Sequence, residues 1–422
     1  MRWVFLLFPL LAQSLMAQQP SGGSDRDHEL ITQLLARVQQ LEQEVKELKA
    51  QGAMIAPAAE PAHPPAPVAE PSRPPDATPA AKARDQQPMP GMEPTPAPGS
   101  PIMQFRGFSD VSYHADDLKG DTNSFALGQF NLFITSKLTD RINVLAEAVV
   151  EADQHNTVGI DLERVLIQYS TSDYFKVGFG RYHTAIGWYN TAYHHSTWMQ
   201  TAVGRPFLFE FEDNGGILPI HNVGISASGR IPSGELGLHY VAEIGNGRAS
   251  RSPLDEPVQN AHDENNGKAV NFAVLSRPSR LPGFEAGISI SHDRLTPDGL
   301  PTVGQTIFAV HAIYQDSRFE WLNEALVIRN AAADGGRVVH TTGFYTQLSR
   351  KFNVVRPYFR YQYVNVPSSD LIFPDVGLRH GPSFGIRYDF SEFAAFKLQY
   401  DRTERRALSG FNGITTQLSF TF

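Results

Sequence analysis

The chain has 422 residues, no cysteine and a formal net charge of -8. The missing cysteines exclude a disulfide framework, a thiolate metal site and a lipid anchor on cysteine. So mild a negative charge gives no sign of nucleic acid as a partner.

In residues 1–17, Arg2 precedes an apolar run from Trp3 to Ala12, followed by small and polar residues around Ala17 and Gln18. This is the pattern of a secretory signal peptide, and the run is too short to cross a bilayer as a helix. In residues 18–52, Ile31, Leu34, Val38, Leu41, Val45 and Leu48 recur at alternating steps of three and four. β-Branched side chains at the a positions and leucine at d predict the core of a short α-helical coiled coil. So few heptads are marginal alone, so a larger assembly elsewhere in the chain is expected to set the oligomer number. Residues 53–101 are rich in proline and alanine and lack aromatics and periodicity. They cannot bury a core and are expected to act as an extended linker.

From Ile102 to Phe422 the pattern changes to short alternating strands. In VRPYFRYQY, Val355, Pro357, Phe359, Tyr361 and Tyr363 share one face, while Arg356, Tyr358, Arg360 and Gln362 share the other. SFGIRYDF from Ser383 and the closing TTQLSFTF from Thr415 alternate in the same way. Tight turns, as at Thr139-Asp140 and Ser391-Glu392, alternate with long polar loops. About sixteen antiparallel strands with short turns at one end and long loops at the other describe an all-β transmembrane barrel.

The strand carrying Leu418, Phe420 and Phe422 resembles the closure and assembly signal of bacterial outer-membrane barrels. GIRYDFSEFAAFKLQYD, from Gly385, resembles the penultimate hairpin of trimeric porins. LERVLIQYSTSDYFKVGFGRY, from Leu162, resembles a hairpin of the porin O/P-like group, usually called phosphate-selective. The resemblance implies a Gram-negative outer membrane, a homotrimer, and membrane lipid and the barrel-assembly machinery as partners. It also implies a periplasmic N-terminal stalk and passive diffusion of small hydrophilic solutes or ions. Phosphate-selective channels line the lumen with a basic ladder, whereas the inward positions here mix signs.

The longest loop, residues 184–220, is the third on the long side, and the resemblance implies that it folds inward and narrows the lumen. On it, Arg205, Glu210, Glu212 and Asp213 are the candidate constriction charges. Alternation and loop position make Arg106, Glu147, Arg164, Arg181, Glu243, Glu320, Glu324, Arg356, Arg360, Arg387 and Lys397 the candidate pore lining. Opposed signs across a narrow opening would set up a transverse field acting on charged solutes. His183, His194, His195 and His221 lie in or beside the loop but lack the spacing of a zinc site, and neither metal nor cofactor is expected. Two rival readings remain: a tether toward the cell wall, and a lipid hydrolase built on His340 with Thr342.

Overall fold

The computed structural model describes residues 102–152, 156–193, 197–251, 260–406 and 408–422. The signal peptide, coiled coil and linker assigned to residues 1–101 lie outside these. Sixteen strands follow in chain order: β1 Ile102–Asp116, β2 Ser124–Lys137, β3 Ile142–Ala152, β4 Val158–Ser172, β5 Phe175–His183 and β6 His221–Arg230. Next come β7 Leu238–Gly245, β8 Ala269–Ser276, β9 Phe284–Leu295, β10 Val303–Gln315 and β11 Phe319–Ala332. The last are β12 Val338–Arg350, β13 Val355–Asn365, β14 Leu378–Tyr388, β15 Ala394–Arg405 and β16 Leu408–Thr421. Each pairs with its sequence neighbour, and β1 pairs antiparallel with β16 from Phe108↔Thr421 to Asp116↔Gly413, which closes the barrel.

Closure follows from the chemistry of the strands. Their outer faces are apolar and open: Leu127 is 70% exposed, Ile160 76% and Phe308 47%. An open edge beside such faces would leave unpaired N–H and C=O groups in lipid, at several kcal/mol each. Of the expected inward set of β13, Tyr358, Arg360 and Gln362 are buried, alternating with the half-buried Phe359, Tyr361 and Tyr363 of its other face.

One irregularity shapes the interior. Glu147 on β3 pairs with Arg164, but Ala148 pairs with Leu162, leaving Glu163 as the extra residue of a bulge. Two consecutive side chains, Glu163 and Arg164, therefore turn inward.

Nor is the interior uniformly wet. Ile307 and Ile313 of β10, Leu322, Leu326 and Ile328 of β11 and Tyr345 of β12 point inward and are buried. They form one apolar cluster with Ile186, Tyr189, Leu208, Phe209, Ile217 and Leu218 of the β5–β6 loop and with Ile372 and Phe373. This part of the barrel is packed like a protein core. Alternation identifies the inner face of a strand but not what will cover it.

Candidate functional site

The β5–β6 loop is tied at its base, where the Thr184 N–H donates to the Ile220 carbonyl at 2.9 Å and the Thr184 hydroxyl to Pro219 at 2.6 Å. One helical turn follows, α1 Tyr189–Ala192. Its Tyr189 stacks on Phe209 at 5.7 Å and meets Tyr345 of the wall edge-on at 5.9 Å.

The loop is fixed to the wall by charged side chains that the sequence offers as pore lining. Glu324, 4% exposed, accepts the N–H of Trp188 at 2.5 Å, the N–H of Tyr189 at 2.9 Å and the Tyr345 hydroxyl at 2.7 Å. Glu243 accepts the Ala185 N–H at 3.1 Å and the Asn271 amide at 2.7 Å. Glu320 accepts the Thr201 hydroxyl at 3.0 Å and the Gln347 amide at 2.7 Å. From β13, Arg360 donates to the carbonyls of Val203 and Gly204 at 3.1 Å. Arg387 donates to the carbonyls of Trp198 and Gln200 at 2.7 and 2.9 Å, and Lys397 to Thr197 at 2.6 Å. Arg360 and Lys397 are at most 1% exposed. Five of the expected lining charges (Glu243, Glu320, Glu324, Arg360 and Lys397) are thus buried anchors of the loop rather than groups in water. A buried charge without partners is very costly, so each holds its partners on the loop firmly.

At the base of the loop, His221 lies between two carboxylates, 2.7 Å from Glu163 of the bulge and 3.4 Å from Glu212 of the loop. Its ring stacks on Phe211 at 5.7 Å, and its backbone N–H donates to Glu212 at 3.1 Å. Burial alone would push the Glu212 carboxyl up, but the neighbouring His221 and Arg248 outweigh it and hold the group below the usual range. Glu212 therefore faces His221, not the lumen. Glu210 pairs with Arg379 of β14, and burial pushes its carboxyl up against the pull of that guanidinium. Arg205 lies over the rings of Phe211 and Tyr189, at 4.3 and 5.3 Å, and donates to the Phe209 carbonyl. The side chain of Asp213 lies outside what is described, as do His194 and His195. Among the described residues, no group of histidines and carboxylates is placed to hold a metal ion.

The other side of the barrel buries Asp110, Asn131, Glu147 and Glu163 but keeps further polar side chains open. Gln104 and Arg106 of β1 are exposed, and Gln129 and Thr135 of β2, Asp161 and Gln168 of β4 are half-buried. Arg164 pairs with the buried Glu147 at 2.6 Å, with its guanidinium 5.5 Å from the Phe133 ring. Arg356 lines a cavity of about 720 Å³ under the loop on the short-turn side, together with Trp198, Glu320, Arg387 and Asp389. A second cavity of about 440 Å³ lies beneath Trp188 and Thr191.

Arg181 needs correcting. It pairs with Val165 and Val223, and so shares their outward face; its guanidinium reaches the Glu163 carbonyl at 3.0 Å and Asn260 at 2.7 Å. The alternation Phe175, Val177, Phe179, Arg181 already carries that result. Glu163, Tyr345 and Gln399 are contributors the sequence reading misses. Gln399, an inward residue of β15, accepts the Val203 N–H at 2.9 Å. At the β1–β16 seam, Phe422 exchanges backbone hydrogen bonds with Gly107 at 2.8 and 3.0 Å, beside Phe420 and Phe130. Leu418 is 41% exposed on the outer face.

No protein-family model and no curated protein matches the sequence. Solved structures do match in shape. The anion-selective porin from Comamonas acidovorans aligns with a TM-score of 0.56 at 12% identity, over 76% of this chain and 100% of that one. The outer membrane channel DcaP of Acinetobacter baumannii aligns at 0.52 and 9% identity, over 76% and 97%. In-vitro folded OmpT of Vibrio cholerae, in its trimer form, aligns at 0.52 and 10% identity, over 76% and 100%. The chain thus has the fold of the outer-membrane porins: a closed sixteen-stranded antiparallel barrel with a long loop docked inside it.

Proposed function

We propose that the protein is an outer-membrane porin that lets small hydrophilic or charged solutes diffuse through the part of its lumen left open along β1–β5. The observation that carries this reading is the asymmetry of the interior. The loop is anchored on β11–β15 through Glu320, Glu324, Arg360, Arg387 and Lys397, while the opposite wall keeps polar, water-accessible side chains. Such a passage is bounded on one side by a fixed loop and on the other by Arg106, Arg164 and Asp161. Arg164 and Arg106 are proposed as the cations that act on passing ions. Glu210, Glu212 and Asp213 are proposed to contribute through the field of the loop, with Glu210 and Glu212 balanced by Arg379 and His221.

The proposal extends to a homotrimer in the membrane, with the N-terminal segments on the periplasmic side. Purified protein in planar lipid bilayers should give stepwise conductance, with steps grouped in threes for a trimer. A barrel that inserts and carries no current would overturn the porin reading. Within that assay, Arg164→Ala removes a lumen cation together with its ion pair to Glu147. Its reversal potential in a salt gradient should move toward cation preference, and an unchanged value would take Arg164 out of the passage.

A further inference from the structure

On the outer face of the barrel, one row of residues near the long-loop end is out of keeping with an apolar surface. Strand register places His292 of β9 opposite Thr306 of β10, Thr306 opposite Arg329 of β11, and Arg329 opposite His340 of β12. The exposed Arg294 stands two residues beyond His292, on the same face and nearer the loops. His292, Arg329 and His340 are likewise exposed, and His292 is 3.0 Å from the Thr306 hydroxyl. The next row toward the short-turn end is Ile290, Phe308 and Val327, all exposed and apolar. The cationic row therefore lies where the lipid-facing band gives way to the headgroup region. There a lipid-facing Arg costs far less than at the bilayer midplane.

Among the described residues of β8 to β13, no acid stands on this outer face. The carboxylates of β8 to β13 are Glu285, Asp293, Glu320 and Glu324, and all four are buried on the inner face. Asp293, between His292 and Arg294, is turned to the lumen and accepts the Arg248 N–H. Arg337, on the adjacent loop, donates to the Ser369 carbonyl at 3.1 Å. Basic side chains directly opposite on neighbouring strands repel one another when both are charged, so an anion between them would stabilise the arrangement.

We propose that Arg329, His340, His292 and Arg294 bind the phosphorylated headgroup of a glycolipid in the outer leaflet, with the Arg329 guanidinium gripping a phosphate. Planar guanidinium forks match phosphate oxygens in pairs, and clustered cations at a headgroup boundary recognise polyanionic lipid heads. Charge complementarity selects this occupant over a two-fold contact with the same row of a second copy, which would be equally basic. The inference rests on the barrel spanning an outer membrane with its long loops outward, and does not depend on conduction.

The test uses the full chain in detergent micelles, titrated with diphosphorylated lipid A and read by native mass spectrometry. The wild-type protein should retain the glycolipid, and Arg329→Gln with His340→Gln should weaken retention on the order of tenfold. Arg350→Gln, on the same outer face at the short-turn end, should retain it like wild type. Fully dephosphorylated lipid A should bind wild type no better than the double variant binds the phosphorylated form. Heat-modified gel mobility checks that each variant is a folded barrel. Equal retention by wild type and double variant would overturn the proposal. So would full competition by millimolar inorganic phosphate, which would mark a general anion site. Loss of the oligomer in the double variant with glycolipid retention intact would assign the row to contacts between copies. Unit conductance of the double variant, measured separately, should equal that of wild type; a non-conducting wild type that still binds the glycolipid would refute only the porin reading.

Discussion

Replacing Glu324 with alanine should enlarge the passage through the barrel. The carboxylate gathers three donors, the backbone N–H groups of Trp188 and Tyr189 and the hydroxyl of Tyr345, all within 2.9 Å. Removing it leaves those donors without their acceptor, at about 1–3 kcal/mol for each that stays buried. On the same strand, the neighbouring inward residues Leu322 and Leu326 are apolar and offer no acceptor in its place. Water can supply one. The first part of the loop borders a cavity of about 440 Å³, so the donors find partners by swinging α1 away from β11. Unit conductance should rise, with added open-channel noise, while the barrel itself stays folded because every strand pairing is untouched. Glu324→Gln keeps a carbonyl acceptor and should fall between the two. Arg360→Ala frees the Val203 and Gly204 carbonyls and should act in the same direction. A Glu324→Ala channel identical to wild type would mean that the apolar cluster alone holds the loop.

This result separates two roles that the sequence leaves merged. Alternation along β13 assigns Arg360 and Gln362 to the inner face, and that is where they lie. Strand number, the run of short turns and long loops and the apolar outer face were equally legible, because each is a local property of spacing and residue type. What alternation cannot show is the partner across the lumen. Arg360 and Arg164 read alike as inward arginines, yet one is buried under a loop more than a hundred residues away in sequence and the other borders open space. Glu163 escaped because a single extra residue in β4 breaks the period of two, and the sequence around it carries no glycine or proline to announce the bulge. The apolar cluster inside the barrel was hidden for a related reason. Glu320 and Glu324 assign Leu322, Leu326 and Ile328 to the inner face by alternation, but nothing in the pattern of β11 says that a loop will cover them.

A large effect on folding is expected at Gly180, near the end of β5. Its φ of 137° lies in a region that side-chain-bearing residues rarely adopt. A Cβ built there would sit 1.9 Å from the Val165 carbonyl oxygen, so the obstruction is backbone of the neighbouring strand, not a mobile side chain. Gly180→Ala must either displace β4 or abandon the local pairing Leu166↔Gly180 that leads into the loop base. Holding a non-glycine residue in such a conformation costs on the order of 1–3 kcal/mol before the steric overlap is counted. Gly178 supplies the control two residues earlier on the same strand. A Cβ there would lie 2.9 Å from Leu166 Cδ1, the end of a flexible side chain that can turn aside. Refolding into detergent and gel mobility with and without heating should show Gly178→Ala close to wild type and Gly180→Ala depleted in folded barrel, with a lower unfolding temperature in what remains. Matching behaviour of the two variants would show that β4 and β5 yield at this point. In that case the loop base would be held by His221 between Glu163 and Glu212, not by the fit of the two strands.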